Sequence, residues 1–199
     1  VRETLEAYKS VGIDQYLIYP RSGLELEYMG EEWLQLCAWF CENAKRLNMS
    51  LWLYDEYNWP SGSCKGKVPA ENPDFESRQY AVYKNADGTY DWKVVHSPGW
   101  VDNYSFKAME RFIELTHKRY EQRLGPYLGS TVAGIFTDEP AHPTPVKLAA
   151  KPALLFRYFD GAEAEYKAAS GHELRADVQA NLADGTKEEV WAVYYGLLG

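Results

Sequence analysis

Short apolar segments alternate with amphipathic helical segments along this chain, and this order constrains the fold more than any other feature of the sequence. Runs of apolar residues of strand length occupy residues 15–20, 51–55 and 132–138. Segments with helical periodicity precede each of them, at residues 1–11, 31–49 and 105–124. Strands that alternate with helices are typical of parallel βαβ units, so the order predicts a parallel sheet covered by helices.

Two α/β architectures fit this order: an open doubly wound sheet and a (β/α)8 barrel. A whole barrel needs about 250 residues and eight strands. The 199 residues contain only three clear barrel strands. We therefore expect residues 1–199 to be a fragment of a single catalytic (β/α)8 TIM barrel domain, roughly its first half. Residues 79–96 alternate around Asp87 and Gly88 and predict a β-hairpin inserted in it.

Composition excludes some partners and points to others. The net charge is −8, so the chain lacks the basic surface that nucleic acids or anionic membranes require. No apolar run is long enough to predict membrane insertion. Aromatic residues make up 15% of the chain, which is high, and such residues either fill a core or line a groove for flat, partly apolar ligands such as sugar rings.

The second and third predicted strands each end in an acidic pair. Asp55 and Glu56 follow one strand, and Asp138 and Glu139 follow the other. The carboxyl ends of parallel strands meet at one edge of the sheet, where α/β enzymes place their chemistry. Helix capping and surface ion pairing are the alternative roles for any single one of these acids. Two pairs at equivalent positions favour a functional site.

Cleavage of a glycosidic bond fits these acids best. It needs one protonated and one ionised carboxyl on opposite sides of the bond. Aromatic side chains near the strand ends can hold a sugar, and the candidates are Tyr54, Tyr57, Trp59, Phe136 and Trp100. Core packing is the expected role of Trp52 and Phe136, whereas Tyr57 and Trp59 follow the strand into the loop. The histidines, at positions 96, 117, 142 and 172, show no metal-site spacing, but carboxylates leave calcium or magnesium open.

Several segments carry a family resemblance. "RSGLELEY", "EEW", "LWLYDEYNWPSG", "DNYSFKAMERFIELTHKRYEQRLGPYLG" and "GIFTDEP" occur in this order, and "AEYKAASGHEL" follows them. The series resembles the catalytic barrel of glycoside hydrolase family 106, the α-L-rhamnosidases, and related barrel glycosidases of gut Bacteroidetes. The resemblance covers nearly the whole chain, and its most specific parts are the YDE-x-x-WPSG and FTDEP motifs.

The resemblance implies an inverting hydrolase with a glutamate general acid and a glutamate general base, often with calcium near the site. Glu139 corresponds to the acid of the Asn-Glu-Pro motif in related barrel glycosidases, with Asp138 in place of the Asn. Asp55, Glu56, Asn58 and Trp59 are then expected to contact the sugar, the calcium or both. Asp138 is expected to orient Glu139 or bind a sugar hydroxyl, and the base is expected beyond this chain. The resemblance also implies an oligosaccharide or plant glycan as substrate and a periplasmic or secreted bacterial protein.

One segment departs from the family pattern. Related sequences commonly continue WPSG with a small residue and a Gly pair, whereas this chain continues with Ser63, Cys64 and Lys65. This makes a glycoside a firmer expectation than rhamnose.

Arg21 and Asp102 are secondary candidates for substrate contact, with a surface ion pair and a helix N-cap as their alternative roles.

Two alternative functions are compatible with the same residues. One is a non-catalytic carbohydrate-binding or degenerate barrel module, which keeps the aromatic groove without turnover. The other is a divalent-metal hydrolase in which both acidic pairs are ligands. A nucleotide-binding doubly wound enzyme is disfavoured because no predicted strand is followed by a phosphate-binding glycine motif.

Overall fold

The computed structural model describes residues 2–140 and 146–198, and within them the chain is a mixed α/β protein. The described residues group into two compact units, 2–76 with 99–140 and 77–98 with 146–198. The strands are β1 (Gln15–Ile18), β2 (Ser50–Tyr54), β3 (Glu76–Lys84), β4 (Tyr90–Val101), β5 (Val132–Phe136) and β6 (Leu154–Arg157). The helices are α1 (Arg2–Ser10), α2 (Glu31–Arg46), α3 (Lys67–Glu71), α4 (Phe106–Leu115), α5 (His117–Leu124), α6 (Ala162–Ser170), α7 (Leu174–Asp184) and α8 (Glu189–Gly196). Short 3-10 turns occupy Pro73–Phe75 and Gly125–Tyr127.

The first unit contains a three-stranded parallel sheet in the order β1-β2-β5. This confirms the predicted parallel sheet and its three strands, which begin and end within two residues of the predicted bounds. Helix α2 packs on β2, and α1 and α5 pack beside α2, so the helices form a layer on one face of the sheet. Leu51, Leu53 and Val132 point into that layer and are fully or almost fully buried.

The opposite face of the parallel sheet is apolar but exposed in the described part of the chain. Leu17, Trp52 and Gly134 form one row across the three strands. The Trp52 ring lies over Gly134, where an added Cβ would be 2.5 Å from the indole. Trp52 is 38% exposed and Phe136 45% exposed, so the prediction that both are core residues is wrong for this structure.

The helix predicted at 105–124 is interrupted at Thr116. The Thr116 side chain donates from Oγ1 to the Phe112 carbonyl at 2.7 Å, and the residue leaves helical geometry with φ −123° and ψ −79°. A threonine hydroxyl that bonds the carbonyl one turn back competes with the helix ladder. The segment therefore forms α4 and α5 with Ser105 as the N-cap of α4.

The second unit contains a three-stranded sheet in the order β4-β3-β6, in which β3 and β6 are antiparallel. The predicted hairpin at 79–96 is therefore present, with longer strands than expected, and most of it belongs to this unit. Helices α6, α7 and α8 supply the rest of a separate core that contains Tyr80, Phe156 and Tyr194. That both units belong to one barrel domain spanning residues 1–199 stays a prediction.

No helix among the described residues is both long and apolar enough to cross a membrane.

Candidate functional site

The ends of the predicted acidic strands lie side by side. Tyr54 of β2 is in register with Phe136 of β5, and the backbone N–H of Asp55 donates to the Phe136 carbonyl at 3.3 Å. The segments 54–56 and 137–139 therefore leave the same edge of the sheet together. Because the two strands are parallel and adjacent, both acidic pairs reach one site, as the sequence predicted.

Asp55 lies at the centre of this edge and is fully buried. Its Oδ1 accepts a hydrogen bond from Ser61 Oγ at 2.6 Å, and its Oδ2 accepts one from Thr137 Oγ1 at 2.6 Å. His117 Nε2 is 3.7 Å from the same Oδ2. Both carboxylate oxygens are thus occupied by hydrogen bonds from the chain itself. Asp55 therefore holds β2, β5 and the loop after β2 in position and does not contact a sugar.

Glu56 is also fully buried, and backbone amides surround its carboxylate. Oε2 accepts from the N–H groups of Ser63 and Cys64, both at 2.7 Å, and Oε1 accepts from the N–H of Lys65 at 2.6 Å. Its own neighbour Tyr57 donates a further backbone N–H at 2.8 Å. Burial raises the pKa of Glu56, and the four amides oppose that rise. Glu56 therefore fixes the conformation of residues 61–66 and is not free to bind substrate.

Asp138 is half-buried and bonded to neighbouring elements. Tyr54 donates its phenolic O–H to Asp138 Oδ2 at 2.5 Å. The Asp138 backbone N–H donates to Ser61 Oγ at 2.8 Å, and its carbonyl accepts from the Ser61 N–H at 2.9 Å. Burial and this carboxylate raise the pKa of Tyr54, which stays a neutral donor. The predicted orienting role of Asp138 is compatible with these contacts.

Glu139 is exposed, unlike the first acidic pair. Its backbone has a positive φ of 39°, which is uncommon for a residue with a side chain. The Trp59 indole N–H donates to Glu139 Oε2 at 2.9 Å. A solvent-accessible carboxylate is thus held by a side chain from the loop that follows the neighbouring strand.

Asn58 connects the loops after β1 and β2, and Arg21 lies in the first of these loops. Asn58 Oδ1 accepts from the backbone N–H of Ser22 at 2.7 Å and from its hydroxyl at 3.2 Å. Arg21 is exposed, stacks over the Tyr19 ring at 4.4 Å and donates to the Tyr19 hydroxyl. Arg21 therefore lies at the same edge of the sheet as the acids. The side-chain oxygen of Asn58, in contrast, is used to fix the loop after β1.

Of the other predicted contact residues, Asp102 is buried and Tyr57 is half-buried. Asp102 is 3% exposed, and its Oδ1 accepts from the Tyr104 N–H at 3.0 Å. It is therefore neither exposed to substrate nor the N-cap of α4, which is Ser105. Tyr57 is half-buried against the core, and Lys65 Nζ lies 4.4 Å above its ring. Cys64 is buried as well.

The loop after β2 also forms one wall of a surface cleft. Trp59, 52% exposed, and its neighbours face the segment 99–103, which contributes Trp100 and Asn103. Trp59 is thus exposed at the site as its loop position predicted. Ser61, Thr137 and Asn103 were missed in the sequence; Ser61 and Thr137 belong to the quoted WPSG and FTDEP motifs, but no pattern singled out Asn103.

Asp55 and Glu56 do not fit a calcium site. Hydroxyl and amide donors point at the oxygens of Asp55 and Glu56, where a cation would need free lone pairs. Residues 2–140 and 146–198 contain no group of three or more His, Cys, Asp or Glu side chains that could hold a metal ion. His142 lies outside the described residues.

Comparison of the chain with protein-family models, with curated proteins and with solved structures finds no match.

Proposed function

We propose that this chain carries the general acid of a glycoside hydrolase, with Glu139 as that acid. The observation that supports it is the arrangement of Glu139, an exposed carboxyl held at 2.9 Å by the Trp59 indole beside an aromatic cleft. Asp55 and Glu56 hold the loop after β2 in place. The hydrogen bond between Tyr54 and Asp138 fixes the backbone next to Glu139.

The proposed reaction is an inverting hydrolysis. Glu139 gives its proton to the glycosidic oxygen of the departing group, while a second carboxylate on the opposite side of the sugar takes a proton from the attacking water. The oxygen–carbon bond of the glycoside breaks and a carbon–oxygen bond to water forms. The second carboxylate belongs, in this proposal, to a later strand of the same polypeptide.

The substrate class is an oligosaccharide or plant glycan, with an α-L-rhamnoside as the first candidate, and the protein acts in the periplasm or outside the cell.

A partial (β/α)8 barrel is the finer fold that we propose. The sheet order β1-β2-β5 follows the chain without reversal, and the helices cover one face. A doubly wound sheet reverses its order and places helices on both faces. Parallel sheets are normally buried on both sides, and the exposed Leu17, Trp52 and Phe136 would line the interior of a completed barrel.

Hydrolysis of two aryl α-L-rhamnosides by the full-length polypeptide tests the acid role. Glu139→Gln keeps an acceptor for Trp59 but loses the proton, so turnover of a poor phenol leaving group should fall by about 10²- to 10⁴-fold. A dinitrophenyl leaving group needs little protonation and should lose much less. Glu32→Gln, on the exposed side of α2, is the matched control. Equal losses on both substrates, or none, would remove Glu139 from the acid role.

Carbohydrate binding without catalysis is the second candidate function. It is favoured by the engagement of Asp55 and Glu56, whose oxygens all accept hydrogen bonds from the chain itself. This candidate predicts sugar binding by calorimetry and no turnover by the full-length polypeptide.

A further inference from the structure

The cleft beside Trp59 has the size of one sugar ring. It lies between the loop segment 59–63 and residues 99–103, and its volume is about 140 Å³. A cavity of about 150 Å³ is known to accept a six-membered carbon ring. The cleft therefore suits a single ring better than an extended chain.

The side chains around the cleft suit the apolar face of a ring. Trp59 and Trp100 both line it, and indole rings bind the apolar faces of flat ligands. Asn103 lines it too, and its Oδ1 is buried without a hydrogen-bond donor among the described residues. This oxygen has no surface open to the cleft and faces Gly62, where an added Cβ would lie 2.3 Å from it, so Asn103 contributes a wall of the cleft and not an acceptor for a ligand.

Trp59 connects this cleft to the proposed acid. The indole that lines the cleft is the same group that donates to Glu139 Oε2 at 2.9 Å. A ring bound in the cleft therefore lies beside the carboxyl that gives up its proton. The lining residues at 59–63 and 99–103 include no acidic side chain that reaches the cleft, since they are Trp, Pro, Ser, Gly, Val and Asn.

We propose that the cleft between Trp59 and Trp100 binds the sugar that departs when the glycosidic bond breaks. This inference rests on the proposed hydrolase function. The general acid protonates the oxygen of the leaving group, so that group lies against Glu139. The sugar attacked by water lies instead between Glu139 and the second carboxylate, which this proposal assigns to a later strand.

Two substrates that differ only in their leaving group test the assignment. The full-length polypeptide is assayed with an α-L-rhamnosyl disaccharide, which has a departing sugar, and with α-L-rhamnosyl fluoride, which has none. Trp100→Ala should lower the ratio of kcat/KM for the disaccharide to kcat/KM for the fluoride by about tenfold, because one aromatic contact to the departing ring is lost.

Trp39→Ala is the matched control, since Trp39 lines a different surface cleft on α2. It should leave the ratio unchanged, and Trp100→Phe should give an intermediate ratio. Thermal melting of each variant checks that the fold is retained. An unchanged ratio in folded Trp100→Ala, with an active parent, would overturn the cleft assignment alone. A parent that hydrolyses neither substrate would overturn the proposed function and the assignment with it.

Discussion

The indole N–H of Trp59 donates to the carboxylate of Glu139 at 2.9 Å, across a separation of eighty positions in the sequence. The two residues come from loops after adjacent parallel strands, so the sheet itself sets their distance. One side chain therefore positions the proposed acid and lines the adjoining cleft.

Trp59→Phe separates these two roles. Phenylalanine keeps an aromatic wall but has no N–H, so Glu139 loses its donor and its fixed orientation. We expect kcat for an aryl rhamnoside to fall about tenfold with a small change in KM, since misplacement of a reacting group is costly. Steady-state kinetics of the full-length polypeptide measures this, with Trp39→Phe as control. A change confined to KM would show that Trp59 acts only in binding.

Glu56→Gln tests the amide-bound carboxylate. The new side-chain NH₂ would face N–H groups that now donate to Oε1 or Oε2, leaving donors unpaired in a buried site. The free energy of unfolding should fall by about 2–4 kcal/mol in denaturant titrations. Amide hydrogen exchange at Ser63, Cys64 and Lys65 should accelerate more than elsewhere. Glu32→Gln, which is exposed, should change neither quantity; slow exchange retained at all three amides would contradict this role.

Tyr54→Phe removes the phenolic donor of Asp138 while keeping the ring that stacks on Phe136 at 5.9 Å. A hydrogen bond to a charged group contributes about 1.5–3 kcal/mol, and partial exposure of Asp138 places the expected loss of unfolding free energy at the lower end. Denaturant unfolding measures it. Tyr8→Phe, on the exposed face of α1, should cost less than about 0.5 kcal/mol. Equal effects of the two substitutions would show that the Tyr54 hydroxyl contributes nothing specific.

His117 should make stability depend on pH. Burial lowers its pKa below the ordinary value of 6.5, and the Asp55 carboxylate 3.7 Å away opposes that shift without reversing it. The unfolded chain then binds a proton more readily than the folded one, so the stabilisation is present above pH 6.5 and is lost as the pH falls through 6.5 toward the lower folded pKa. Thr116 and Phe112 are its other contacts.

Thermal melting from pH 7.5 down to about pH 5 measures this dependence, and His117→Gln should flatten its His-linked part. His172→Gln, on an exposed histidine, serves as the control. An identical pH profile for wild type and His117→Gln would assign the dependence to other groups.

The sequence predicted where the site lies more accurately than what each acid does there. Parallel strands in chain order must bring their carboxyl ends together, so the meeting of residues 54–56 with 137–139 follows from the βαβ pattern alone. The inward orientation of Asp55 and Glu56 depends on the loop at 61–65 folding back over them. That return of the loop has no periodic signal, so burial of the first acidic pair could not be anticipated.

The second unit shows a similar limit. Strand β6 has four residues and pairs with β3, with Arg157 opposite Gln79. A strand of four residues has too little sequence to be predicted from its own composition. It forms because β3, which is distant in the sequence, pairs with it. Helix α7 was missed for a related reason, because its apolar residues do not form one clear stripe along its length. Helix α6, in contrast, has clear ends, because glycines with positive φ stand on both sides of it.

The carboxylate of Glu56 accepts hydrogen bonds from the main-chain amides of the loop at 61–66, and this limits how the sequence of that loop can evolve. The Ser63 hydroxyl also donates to Glu56 Oε2 and accepts from the Gly66 N–H, both at 3.1 Å. Cys64 and Lys65 have positive φ values of 51° and 58°, which most side chains disfavour. Sequence change in this loop is therefore constrained by the backbone conformation that one buried glutamate fixes.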